Sequence, residues 1–154
     1  MCATKVRVGI VGVGNCASSF VQGLAFYRDC RGNETPPGLM NVSVGEYGVD
    51  DIEIASAFDV SASKVGRDVA DAIWAPPNNT FRFSTVPQTG VMVNRGPVLD
   101  GLGKYLEDEV EVSSDAEVDV VRTLRDTGTD VLVSYLPVGA EAATQYYAEC
   151  AIEA

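Results

Sequence analysis

Residues 6–24, VRVGIVGVGNCASSFVQGL, decide how the rest of the chain is read. Val6 to Val11 form an apolar run that reads as a buried strand. The run ends in Gly12, Gly14 and Asn15, and a helical period follows over 15–28, with Ala17, Phe20, Val21 and Leu24 on one face. Gly12, Gly14 and Ala17 therefore spell G-x-G-x-x-A between a strand and a helix. In a dinucleotide-binding turn the first glycine lets the chain reverse tightly. The second lets a pyrophosphate approach the backbone, and the third, small position lets helix and strand pack closely. The positive end of the helix then faces the pyrophosphate. Glycines at strand–helix turns also serve packing alone, so the turn by itself leaves both readings open.

Outward from the turn, "RDCRGNETPPGLMNVSVGEYGVDD" (28–51) breaks both periods and reads as an insertion or long loop, at about 29–50. "IEIASAFD" is a second strand, Ile52 to Phe58, ending in Asp59. An acid at that strand end is where a Rossmann domain binds the adenosine ribose, usually about 20 residues past the glycines. Here the insertion lengthens the interval. The other reading of Asp59 is a turn or helix-cap residue. As a ribose ligand it favours NAD over NADP, because it repels a 2′-phosphate, and the nearby Lys64 and Arg67 weigh against that preference.

Ser61 stands where an N-cap is expected, predicting a helix over 62–74. "PPNNT" (76–80) is a turn cluster, and "FRF" and "VMVNR" are short strand candidates. Residues 95–114 follow no period. In "NRGPVLDG", Arg95 is either an anion ligand or an exposed loop residue. "AEVDVVRTLRDTG" predicts a helix closed by Gly128. Asp119 and Asp130 read as solvated edge residues. "DVLVSYLP" is a buried strand, which places Tyr135, Leu136, Pro137 and Gly139 at a carboxyl edge, where open α/β sheets bind ligands. "GAEAATQYYAECAIEA" closes the chain with an amphipathic helix pattern. This alternation predicts an α/β fold, a Rossmann-type doubly wound parallel sheet. With no further strand after the last helix pattern, residues 1–154 are expected to be one incomplete nucleotide-binding domain of a larger α/β protein.

Composition narrows the partners. The chain has 154 residues, 46% of them hydrophobic, and a formal charge of −11 from 22 acidic and 11 basic residues. That balance argues against nucleic acid and anionic membrane, while a small anion held by backbone amides stays compatible with it. No apolar run approaches a membrane span, and Lys5 and Arg7 interleave with valines rather than preceding an apolar signal segment. Cys2, Cys16, Cys30 and Cys150 lack C-x-x-C spacing and there is no histidine, so no metal site is expected, nor any Ser-His or Cys-His nucleophile. The cysteines read as reduced packing residues of a cytoplasmic protein.

As a set, "VGIVGVGNCASS", "PGLMNV", "AFDVSASKVGRD", "NNT", "RGPVLDGLGKY" and "VLVSYLPVGAEAA" closely resemble the amino-terminal part of the inositol-1-phosphate synthases, bacterial and archaeal branch. The resemblance runs from about Val6 to Ala154. It implies an NAD-dependent isomerase acting on glucose 6-phosphate by oxidation, intramolecular aldol closure and reduction, assembled as a homotetramer. Carried over by motif, Gly12, Gly14, Asn15 and Cys16 line the pyrophosphate, Asp59 takes the adenine ribose, and Tyr135, Leu136, Pro137 and Gly139 border the cofactor. The family's catalytic lysines and carboxylates belong to a second domain, so no residue here is assigned a catalytic role, Lys104 included. A non-catalytic NAD-binding regulatory module is the alternative. An ordinary NAD-linked oxidoreductase would differ in releasing NADH. A domain that binds nothing would lose only stability on enlarging Gly14.

Overall fold

The structure, a computed structural model, describes residues 5–29, 36–102 and 109–154. Cys2, Cys30 and Lys104 lie outside them. In chain order the elements are β1 (Val6–Val11), α1 (Asn15–Asp29), β2 (Ser43–Val44), β3 (Tyr47–Gly48), β4 (Ile52–Asp59), α2 (Val69–Ala72), β5 (Val93–Arg95), α3 (Val120–Asp126), β6 (Val131–Ser134) and α4 (Glu141–Glu153).

Four strands form a parallel sheet in the order β5-β4-β1-β6. β1 is central because its side chains have partners on both sides: Ile10 aligns with Ala57 of β4 and Val133 of β6. Gly9 is a packing requirement of that position, since a Cβ there would lie 2.7 Å from Ser56 Oγ and 2.8 Å from Leu132 Cδ1. Running outward from β1 in one direction and returning on its other side, the order is that of a Rossmann half-sheet. The topological switch falls between β1 and β6.

The two faces alternate along the strands with a period of two, except where a register shift between Val8 and Gly9 of β1 lets Ile54 and Ala57 of β4 share one face. Ile10, Ile54 and Ala57 face the buried stripe of α1, Ala17, Val21 and Leu24, with α2 and Val93 closing that side. Val11 and Phe58 face the other way, onto Val120 and Leu124 of α3 and Tyr147 and Cys150 of α4. The α/β parallel architecture expected from the alternation of elements is therefore present.

Several local expectations are corrected. The helix predicted over 62–74 is confined to Val69–Ala72, and its N-cap is Asp68, which accepts from Ala70 N at 2.8 Å. Gly66 at φ +77° breaks the run. Ser61 instead opens a turn whose carbonyl accepts from Lys64 and Val65, and it bridges Val112. "FRF" is not a strand: Phe81 O and Phe83 N bond to one side chain rather than to a neighbouring strand. The fully buried Gln22 of α1 accepts from Phe83 N at 2.9 Å and Ser84 N at 3.3 Å, and donates to Phe81 O. The 91–95 strand shortens to Val93–Arg95. Within the described part of the insertion lies a small antiparallel pair, β2–β3.

The helix predicted from 116 starts at Val120, capped by Asp119, which accepts from Arg122 N at 2.9 Å. Asp119 is thus an exposed cap rather than an idle edge residue. Gly128 follows that helix at φ +57°, in the conformation expected of a terminating glycine. Asp130 accepts from Arg7 N at 2.9 Å and so ties the start of β6 to β1.

Candidate functional site

The carboxyl ends of β1, β4 and β6 surround a cavity of about 340 Å³. Its floor is the turn after β1. Gly12 has φ +84°, and a Cβ there would stand 3.2 Å from Tyr135 O, so both backbone conformation and the approach of β6 require glycine. Ala17 is fully buried in the core, where its small side chain lets α1 lie close to the sheet. Gly14 differs from both. Its φ is not positive, and a Cβ there would meet nothing within 4 Å. Its missing side chain leaves room in the cavity and satisfies no packing constraint. The first turn of α1 carries no acidic residue, so nothing in it offsets the positive helix end.

Asp59, the last residue of β4, lines the cavity and fastens the turn to it. Its Oδ2 accepts from Val13 N at 2.7 Å, and its Oδ1 accepts from Val60 N at 2.8 Å and Ser61 N at 2.9 Å. Lys64 Nζ stands 3.8 Å from Oδ2. The carboxylate is thus a turn fastener, as in one of its two readings from sequence, and it also lines the cavity.

A second set of bonds comes from a segment for which sequence suggested only a turn. Asn78 donates from Nδ2 to Val13 O at 2.9 Å and Ile73 O at 3.1 Å. Asn79 accepts at Oδ1 from Asn15 Nδ2 and donates its backbone N–H to Asn15 Oδ1, each at 2.9 Å. The Thr80 hydroxyl also donates to Asn15 Oδ1, at 2.8 Å. Asn15 lines the cavity, but its side chain is occupied in this clasp. The "NNT" triplet is part of the resemblance, but none of its residues is assigned to the site from sequence, and Asn78 lines the cavity. The triplet's partners Val13 and Asn15 lie 64 or 65 residues away, beyond any local signal.

On the opposite bank Tyr135, Leu136 and Pro137 line the cavity. Tyr135 N donates to Val11 O at 2.8 Å, and its ring centroid is 6.2 Å from that of Phe20. Burial pushes its hydroxyl above the ordinary value, so it stays protonated. Tyr147 of α4, also unanticipated, lines the cavity and packs on Phe58 at 5.8 Å between centroids. A Cβ at Gly96 would collide with its hydroxyl. Burial foremost, then Tyr146 and Asp59, raise the Tyr147 pKa well above that of a free tyrosine.

Two of the residues assigned to the cofactor by resemblance stand apart from the cavity lining. Cys16 is exposed on α1. Gly139, at φ +96°, forms the turn into α4, accepting from Glu141 N at 2.9 Å. Arg95 is neither in the cavity nor freely exposed. It is partly buried at the end of β5 and pairs with Glu117 at 3.2 Å.

Among the described residues no helix is long and apolar enough to cross a membrane. No protein-family model matches the chain. It is 56% identical over 152 residues to the inositol-3-phosphate synthase of Mycolicibacterium smegmatis, and 53% identical over 154 residues to that of Corynebacterium glutamicum. These alignments cover 99% and 100% of this chain and 42% of each relative, so the chain spans about two fifths of their length. The crystal structure of Ari2 superposes on 97% of this chain, over 43% of its own, with a TM-score of 0.78 at 29% identity. At more than half identity over essentially its whole length, the chain is similar to a part of these inositol-3-phosphate synthases.

Proposed function

We propose that the cavity is an NAD site, and that the protein bearing it converts D-glucose 6-phosphate to 1L-myo-inositol 1-phosphate. One observation carries the cofactor reading. Gly14 lines the cavity, yet neither its backbone angles nor any neighbour within 4 Å demands glycine. A phosphate approaching the backbone does demand it. The G-x-G-x-x-A turn, the strand-end acid and the family likeness point the same way.

In this reading Gly12, Gly14, Asn15 and Cys16 border the pyrophosphate, with Asn15 and Cys16 contributing backbone amides at the start of α1. Asp59 faces the adenosine ribose, and Tyr135, Leu136, Pro137 and Gly139 form the bank toward the nicotinamide. Bound there, NAD would supply reversible hydride transfer, which the overall isomerisation uses without net consumption. The chain's own residues bind and orient, and the apolar side chains of Leu136 and Pro137 on one bank and Phe58 on the other exclude water. Proton transfer and sugar-phosphate binding are assigned to none of them. A separate catalytic domain, tetrameric assembly, cytoplasmic location and a role in inositol and phospholipid synthesis belong to the same proposal on the family likeness alone.

Calorimetric titration with NAD tests it on the parent protein and on Gly14→Leu. The parent should bind saturably. The variant should lose binding while unfolding within about 1 kcal/mol of the parent, the scale of an unfavourable N-cap residue. A Gly14→Leu protein that still binds NAD would sink the reading.

A further inference from the structure

The acid at the end of β4 does not stand alone. Lys64 is only 5% exposed and lines the same cavity, its Nζ 3.8 Å from Asp59 Oδ2. Among the described residues its ammonium makes one hydrogen bond, to Asn78 Oδ1 at 3.2 Å. An ammonium has three donors, so capacity is left over. Arg67, three positions on, is exposed and outside the cavity, so only one of the two nearby cations is placed to act. Asp59 itself is fixed by three backbone N–H groups, whereas Lys64 sits on a flexible four-carbon stem anchored through Asn78.

We propose that Lys64 is a specificity-determining residue of the cavity, a phosphate-binding group masked by Asp59, and that the pair rather than Asp59 alone sets the choice between NAD and NADP. This rests on the cofactor reading above. Because the ammonium balances the carboxylate, the site offers a 2′-phosphate no bare negative charge. Selectivity comes from Asp59 occupying the lysine. Taking Asp59 away changes the local formal charge from zero to +1 and frees a buried cation beside the ribose position. A charge-assisted bond from such a donor is worth about tenfold or more in affinity.

The test is calorimetric titration of NAD and NADP into the full chain and three variants: Asp59→Ser, Lys64→Met and the double variant. The parent should prefer NAD. Asp59→Ser should shift the NADP-to-NAD affinity ratio toward NADP by about tenfold or more, and the double variant should abolish that shift. Loss of the bond to Val13 N is common to Asp59→Ser and the double variant, so their difference isolates the lysine. Lys64→Met should move the ratio further toward NAD, and this arm leaves the turn's own bonds intact. An NADP gain that persists in the double variant, or a ratio indifferent to Lys64→Met, overturns the inference and leaves the cofactor reading standing. A folded parent that binds neither dinucleotide overturns the cofactor reading, and this inference with it.

Discussion

On the β1–β4 bank of the cavity, backbone and side-chain polar groups are fixed by other parts of the chain. Val13 donates to Asp59 and accepts from Asn78, and the Asn15 side chain is taken up by Asn79 and Thr80. On the β6 bank, β6 joins β1 through Tyr135 N to Val11 O. Beyond that, Leu136 and Pro137 present apolar surface, Val138 is fully exposed and Gly139 has open space around it. The first bank is held by bonds within the chain, and in the proposed cofactor site its specificity would reside in these fixed dipoles and the Asp59–Lys64 pair. The second offers shape and apolarity, and its two tyrosines are the polar groups that stay protonated. Substitutions of the bonded groups on the first bank should therefore alter stability and binding together, Gly14 excepted because a side chain there meets no neighbour, whereas the second bank should separate them.

The largest effect is expected at the one residue that belongs to both banks. Gly12→Val places a β-branched side chain at φ +84° and drives its Cβ to 3.2 Å from Tyr135 O. A loss of about 3 kcal/mol or more is expected in urea-induced unfolding, from backbone strain and crowding together. A stable Gly12→Val protein would mean that the banks are not held in register by this contact.

Asn78→Ala comes next. It removes two donated bonds and the acceptor that anchors Lys64, for an expected loss of about 2 kcal/mol. NAD affinity should fall with stability, because Val13 and Lys64 both lose their restraint. Unchanged affinity in a destabilised variant would show that the clasp supports the fold alone.

These two positions also mark what was legible in the sequence. Gly12 was legible because its cause is local: a strand ends, a helix begins, and the residues between them must reverse the chain. The same holds for β1, α1, β4 and Asp59, whose signals lie within one element or at its end. Asn78 read only as a turn residue, because its meaning depends on Val13 and Lys64, 65 and 14 positions away. Gln22 fixing residues 81–84 is the same kind of case, a buried polar side chain replacing the strand bonds that an alternating "FRF" suggested. The 62–74 helix failed for a local reason that was present in the letters. Gly66 interrupts the run, and Asp68, two residues later, is a better cap than Ser61 because its carboxylate also collects Thr89 and Gly90. A helix start is decided by the group that satisfies its first amides.

The smallest expected effect tests the looser bank. Asp100 accepts from Ala143 N at 2.8 Å and Ala142 N at 2.9 Å at the start of α4, and these amides hold its carboxyl below the ordinary value of 3.8. A depressed folded pKa means that its contribution is full above the unfolded value and is lost as pH falls through the folded one. Asp68 is lowered as well: burial works against the shift, but the amides of Ala70, Thr89 and Gly90 and the Thr89 hydroxyl outweigh it. Acid should therefore weaken both, Asp68 on the β4–β5 side and Asp100 beside β6. Urea unfolding followed from about pH 5 to about pH 2 should show a shallower pH dependence in Asp100→Asn than in the parent. The difference should be small, because Asp100 is largely hydrated and its bonds compete with water. A parent and variant with superimposable profiles would mean that the start of α4 is held by packing of Ala143 and Tyr147 alone. The β6 bank would then contain no polar fixture that pH can release, which would sharpen the contrast with the bank across the cavity.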